Sequence, residues 1–166
     1  MMEWNGDGTM RPCSSSDHAV VTRKMKAWWG GRELSLPKLF FDHFQDTSFI
    51  VEVNGEIVGF LIGFLSQSRE EEAYIHFVGV DPAYRKLGIA AALYDRFFEK
   101  VVEHGRLRVR AITSPVNRLS IAYHTRMGFT VVPGDKVVDG VEVHVDYDGK
   151  GVERVLFVKD LKGRSG

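Results

Sequence analysis

The stretch Arg85-Lys86-Leu87-Gly88-Ile89-Ala90 places two cations and a glycine where a strand has ended and a long amphipathic helix is due. The first backbone N–H groups of a helix have no intrahelical partner, and with the helix dipole they favour an anion, typically a phosphate. Gly88 admits a ligand where a Cβ would intrude, and Ala90 is nearly as small. Arg85 and Lys86 add positive charge, and an arginine can hold a phosphate through two parallel hydrogen bonds. Pro82 stops the strand and orients the turn. The spacing is not the Gly-x-Gly-x-x-Gly of a dinucleotide fold, and the Gly-Lys-Ser/Thr of a P-loop is absent. The alternative reading is a solvated basic turn before a surface helix.

The elements that must position this turn follow from periodicity. Residues 1–16 are polar and glycine-rich, and read as a flexible tail ahead of a single domain over 17–166. Asp17 is placed to cap a first helix reaching Trp29, ended by Gly30-Gly31. "SLPKLFFDHF" predicts a short second helix with Leu36, Leu39, Phe40 and Phe44 on one face. "SFIVEV" and "EIVGFLIGFLS" form a hairpin about Asn54-Gly55, and "EEAYIHFVGV" is a further strand, with Glu70, Glu71 and Glu72 as its solvated entry. A helix over 88–104 carries Leu93, Tyr94, Phe97, Phe98, Val101 and Val102 as its apolar stripe. "RLRVRAITS" is a strand, "NRLSIAYHTRM" a helix stopped by Gly128, and "FTVVP" and "VERVLFVKDL" are late strands flanking a polar loop over 134–151, within which "VEVHVDY" alternates. The order implies an α/β fold with a central mixed sheet flanked by helices on both faces. A right-handed crossover makes strands 73–81 and 107–113 parallel neighbours.

The chain has 166 residues and 22 basic against 22 acidic side chains, so no global field points to nucleic acid or membrane. No apolar run reaches the roughly 20 residues that span a bilayer, and the N-terminus lacks the apolar core of a signal peptide. With Cys13 as its one cysteine the chain can form no intrachain disulfide, and no metal-ligand spacing is visible. A cytoplasmic setting is the expectation.

Arg85 to Ala90, followed by Asn117, a short helix and Gly128-Phe129, resembles the GNAT superfamily of N-acetyltransferases. Its signature is Gln/Arg-x-x-Gly-x-Gly/Ala at the start of the central helix, and the resemblance covers residues 17–160. It implies the GNAT-type acyl-CoA N-acyltransferase fold, with acetyl-CoA as co-substrate and no metal. Arg85, Lys86, Leu87, Gly88, Ile89 and Ala90 would wrap the pyrophosphate, and the pantetheine would lie between two splayed strands against Val78, Gly79 and Val80. Gly79 fits a bulge or a close backbone approach. Asn117 matches the asparagine that meets the pantetheine, with Ser120 beside it. The N–H of Val80 or Val78 would meet the acetyl carbonyl. Cys13, in the tail, argues against a covalent route. Many members place a proton-donating tyrosine four residues before the glycine of Gly-Phe. Here that position is His124, preferred to Tyr123, one residue earlier. The familiar glutamate base is missing, with Tyr74 at its position. His76 is the replacement, sharing a face with Tyr74, Val78 and Val80 by period two unless a bulge intervenes.

On the acceptor side the resemblance points to Trp28 and Trp29, one in the core and one in a pocket. Arg32 is a carboxylate clamp, and His144, Asp146, Tyr147 and Asp148 lie in the late loop. The expected activity is acetyl transfer to a primary amine, of a small molecule rather than a protein, by direct attack in a ternary complex. A protein or peptide N-acetyltransferase and a non-catalytic acyl-CoA-binding module are the rivals. A homodimer is allowed; nucleic acid and membrane are not expected partners.

Overall fold

The computed structural model describes residues 7–30 and 35–161. Seven strands form one mixed sheet in the order β1-β2-β3-β4-β5-β9-β6. These are β1 (Thr9–Pro12), β2 (Phe49–Val53), β3 (Glu56–Leu65), β4 (Glu72–Val80), β5 (Arg108–Thr113), β6 (Thr130–Val131) and β9 (Val155–Asp160). A separate two-stranded hairpin, β7 (Lys136–Val138) and β8 (Val141–Val143), fills part of the stretch read as a polar loop. The helices are α1 (Asp17–Trp28), α2 (Leu39–His43), α3 (Ile89–Glu103) and α4 (Arg118–Arg126). Among the described residues no helix is long and apolar enough to cross a membrane.

Alternation along the strands divides the core by face. Phe49 and Val51 of β2 and Leu61 of β3 join α3 and Met127 after α4 in one cluster; Ile50, Phe60 and Ile62 join α1 and α2 in the other. β2 and β3 turn through Asn54 and Gly55, both at positive φ (51° and 78°), the geometry a two-residue hairpin demands. β4 and β5 pair in parallel around the α3 crossover, as the right-handed rule requires.

Five local expectations are corrected. Residues 9–12, placed in the tail, form β1 and pair antiparallel with β2. Arg11 anchors them, bonding Asp17 (2.8 Å) and Glu52 (2.8 Å through Nε), so charge pairing holds a strand that periodicity does not reveal. Asp17 is the first residue of α1 rather than its cap, and Cys13 is buried against β2, its thiol pushed up to about 11 by burial. In α2 the buried residue is Phe41, whereas Leu39 is 50% exposed. Glu72 is not a solvated entry: it is 7% exposed and its carboxylate meets Arg110 Nε at 2.6 Å, a charge buried with its partner.

Candidate functional site

The turn before α3 has a geometry that suits an anion. Asp81 caps the short 3-10 turn over Pro82–Tyr84 by accepting from the Ala83 N–H at 2.9 Å, and Arg85 then leaves in extended backbone. Lys86 (φ 66°) and Gly88 (φ 84°) are both left-handed, so the chain curls its N–H groups around one point. A lysine held there stores strain of about 1 kcal/mol, as functional turns do. Ala92 N–H bonds Gly88 C=O, so the N–H groups preceding it project from the helix end. The turn borders a cleft of about 310 Å³, lined by Val80, Tyr84, Arg85, Lys86, Gly88, Ile89 and Ala90, and on the α4 side by Tyr123, Arg126 and Met127. Arg85 Nε is buried without a partner, as expected of a donor awaiting an anion. Leu87 is half-exposed and is not part of this wall.

Beside the turn the sheet opens. β4 and β5 pair from Glu72↔Arg108 to Ile75↔Ala111, and no register partner on β5 follows for residues 77–80. Asp81 N–H bonds Val58 C=O on β3, so alternation turns Gly79 toward β3 as well and leaves the N–H groups of Val78 and Val80 facing the opening. Gly79 is not at a bulge. A Cβ on it would meet Phe60 Cε1 at 2.6 Å and Trp29 at 2.9 Å, so it is a glycine because two rings press on the strand. The bulge is at His76, where Ile62 pairs with Phe77 and Gly63 with Ile75. One extra residue reverses the alternation. Tyr74 and His76 lie with the aromatic rings of α2 and β3, while Val78 and Val80 join the α3 cluster, so the four do not share a face.

The two proton-donor candidates separate by 100° of helix, as successive residues must. Tyr123 lines the cleft. Burial raises its hydroxyl pKa, and the charges of Arg85 and Arg126 pull it back down. His124 is 4% exposed and does not border the cleft; it packs on Phe129 and Phe157. Its Nδ1 is 2.9 Å from the Tyr94 hydroxyl and its Nε2 3.3 Å from Ser120 Oγ, and burial lowers its pKa to about 4. Asn117 is exposed and caps α4, accepting from the Ser120 N–H at 3.1 Å. Tyr94, which periodicity marks only as part of an apolar stripe, is fully buried beneath the cleft. A buried tyrosine needs a partner for its hydroxyl, and His124 supplies it.

On the other face His76 is half-buried, its Nε2 has no partner, and burial lowers its pKa while Asp148 pulls the other way. Its ring stacks on Phe40 at 4.1 Å and 6°. Tyr74 stacks on Phe64 at 5.3 Å, and burial, then Tyr147 and Asp148, raise its pKa. Thus the loop between β8 and β9 reaches the same region as β4. His144 packs edge-on to Tyr147, and its Nε2 is also buried without a partner. Asp146 instead accepts from the Gly151 N–H within its own loop. Trp28 and Trp29 are both half-buried against the α1–α2 cluster, Trp28 stacked on Phe60 and Trp29 against Phe77, so burial does not distinguish a core tryptophan from a pocket one. Arg32 lies outside the described residues. Phe40 and Phe64, missed as site residues, look like plain helix and strand core until the fold sets them beside His76.

Comparison with known proteins agrees with this geometry. The profile of the acetyltransferase (GNAT) family matches residues 17–129. An L-2,4-diaminobutyric acid acetyltransferase of Nocardia farcinica is 34% identical over 79 residues, 48% of this chain and 41% of that protein. An uncharacterized N-acetyltransferase of Methanocaldococcus jannaschii is 35% identical over 89 residues, 51% of this chain and 39% of its own. The chain therefore spans less than half the length of these curated relatives. Among solved structures, Ard1 from Thermoplasma volcanium superposes with a TM-score of 0.74 at 22% identity, covering 94% of this chain and 99% of that one. Diaminobutyrate acetyltransferase from Paenibacillus lautus, in complex with its substrate and coenzyme A, gives 0.72 at 24%, covering 95% and 98%. At these identities the structures speak to the fold, and with the matched profile they lead to one conclusion: the chain belongs to the GNAT acetyltransferase family.

Proposed function

We propose that the chain is an acetyl-CoA-dependent N-acetyltransferase that acts on a primary amine of a small molecule. The observation that carries this is the left-handed turn at Lys86 and Gly88, with the unpartnered Arg85 Nε, opening directly onto the gap between β4 and β5. The turn and the N-terminus of α3 suit a pyrophosphate, and the strand-like edge of Val78 and Val80 suits the amide-bearing arm that follows it. A backbone N–H of that edge would stabilise negative charge on the acetyl oxygen.

His76 Nε2, neutral because burial disfavours its charged form, takes a proton from the substrate ammonium. The amine nitrogen then bonds the acetyl carbon, the C–S bond breaks, and the Tyr123 hydroxyl protonates the departing thiolate. The second amine proton returns to solvent. His124 has no part in this reading except to hold α4 on α3 through Tyr94. Relatives named for diaminobutyrate support a small-molecule acceptor.

Calorimetric titration of acetyl-CoA and free CoA tests the reading. Saturable micromolar binding is expected in wild type and its loss in Gly88→Trp, where φ 84° and the close ligand approach both exclude a side chain. No binding by wild type would refute it. Binding without CoA release for any amine would favour the non-catalytic module.

A further inference from the structure

The acceptor region has a definite chemistry. Phe40, Phe44, Phe64 and Tyr74 pack in a chain of ring contacts: Phe40 to Phe44 at 5.5 Å, Phe44 to Phe64 at 5.2 Å and Phe64 to Tyr74 at 5.3 Å. All four are only half-buried, so the wall keeps surface to offer. His76 is stacked on the Phe40 ring, and its unpartnered Nε2 is the one buried polar atom of this wall without a hydrogen bond. Asp148, in the loop between β8 and β9, lies close enough for its negative charge to be felt by both His76 and Tyr74. Its carboxylate is 54% exposed and holds Arg154 only at 3.6 Å, a loose pair that leaves room for a second cation. Tyr147, 47% exposed, stands beside it.

Aromatic faces and a carboxylate recognise a cation, because ring quadrupole and formal charge both attract it. Rings in series recognise a flat apolar body, by area and by offset stacking. A neutral imidazole between them recognises the N–H that must be removed.

We propose that the acceptor is a cationic amine with a flat apolar body, of the arylalkylamine class, its ammonium between His76 and Asp148 and its body against Phe40, Phe44, Phe64 and Tyr74. The inference rests on the acetyltransferase reading and deepens it. It separates this chain from relatives named for diaminobutyrate, whose acceptor is a polar amino acid carrying a carboxylate. The Asp148 carboxylate would repel that group.

The test uses the full chain saturated with CoA and titrated with 2-phenylethylamine or L-2,4-diaminobutyrate, alongside CoA release from acetyl-CoA with each amine. A preference of roughly tenfold or more in kcat/KM for phenylethylamine is expected, of the size a lost ring contact or repelled charge produces. Asp148→Asn should raise KM for phenylethylamine several-fold with kcat nearly unchanged, since charge attraction is equal in ground and transition states. Phe44→Leu, at a ring with no contact to His76, should weaken phenylethylamine more than ethylamine. Equal or better use of diaminobutyrate overturns the proposal, as does an Asp148→Asn variant with unchanged KM. CoA binding without phenylethylamine binding sinks this inference alone, whereas absence of CoA binding sinks the acetyltransferase reading and this inference with it.

Discussion

At the residue scale, Tyr123 and His124 show how one step along a helix changes a side chain's work. Tyr123→Phe is expected to lower kcat by roughly a hundredfold or more, the usual worth of a positioned proton donor, with acetyl-CoA affinity retained. His124→Phe should leave kcat within a few-fold but cost about 1–3 kcal/mol in urea melts, because the Tyr94 hydroxyl loses its partner. The reverse pattern, with His124 controlling rate, would return the donor role to the histidine. His76 adds a pH signature. Burial lowers its pKa, so it stays neutral further into acid than a free imidazole, and the acid limb of kcat/KM should fall below about 6.5. His76→Gln should lower kcat and remove that limb; a limb that persists unchanged would assign it to another group.

At the element scale, the bulge in β4 is the decisive irregularity, and Gly63 sits where it occurs. A Cβ there would lie 2.4 Å from Phe97 Cε1 and 2.8 Å from the Tyr74 carbonyl oxygen. Thr47 Oγ1 and Ser48 Oγ donate to the Gly63 carbonyl, at 2.6 and 3.2 Å, so the distorted backbone is satisfied from the segment before β2. Gly63→Ala should therefore destabilise by about 1–3 kcal/mol through overpacking, read as a lower urea midpoint at unchanged m. A variant as stable as wild type would mean that Phe97 and the bulge can relax together. The same bulge sends Val78 and Val80 to one face and His76 to the other, the arrangement that the proposed ternary complex needs of a single strand.

At the scale of the whole molecule, stability should depend on pH through buried histidines. The folded pKa of His124 is about 4 against an ordinary 6.5, so the unfolded chain binds more protons between these values and stability rises with pH across that window. Going from pH 7 toward 4 should cost up to about 3 kcal/mol from this residue, one pKa unit being worth about 1.4 kcal/mol. His76 adds a smaller loss of the same sign. Burial disfavours the Asp17 carboxylate, but its hydrogen bonds from Arg11 and Ser14 outweigh that and lower its pKa, so its contribution is lost only below the ordinary carboxylate range and the two effects are separable. Denaturation of wild type and His124→Phe at pH 5 and pH 7 checks this: the variant should show a shallower dependence. An equal slope in both would place the titrating group elsewhere.

What the sequence by itself determined was whatever is local or periodic. Asn54-Gly55 specifies its own turn, the α3 stripe its own face, and Arg85 to Ala90 the glycine-bearing cationic turn that starts α3. Asn117 and Gly128 likewise mark the ends of α4 through backbone chemistry. Only the tertiary structure decided the rest, because the rest depends on contacts between distant segments. β1 exists because Arg11 meets Glu52, 41 positions away, and Glu72 is buried because Arg110 comes to it from β5. His124 is a core histidine because Tyr94 of α3 lies opposite its ring, and Phe40 borders His76 because α2 folds over β4. Period two could not reveal the bulge, since one extra residue exchanges faces without altering the amino-acid pattern that predicts them.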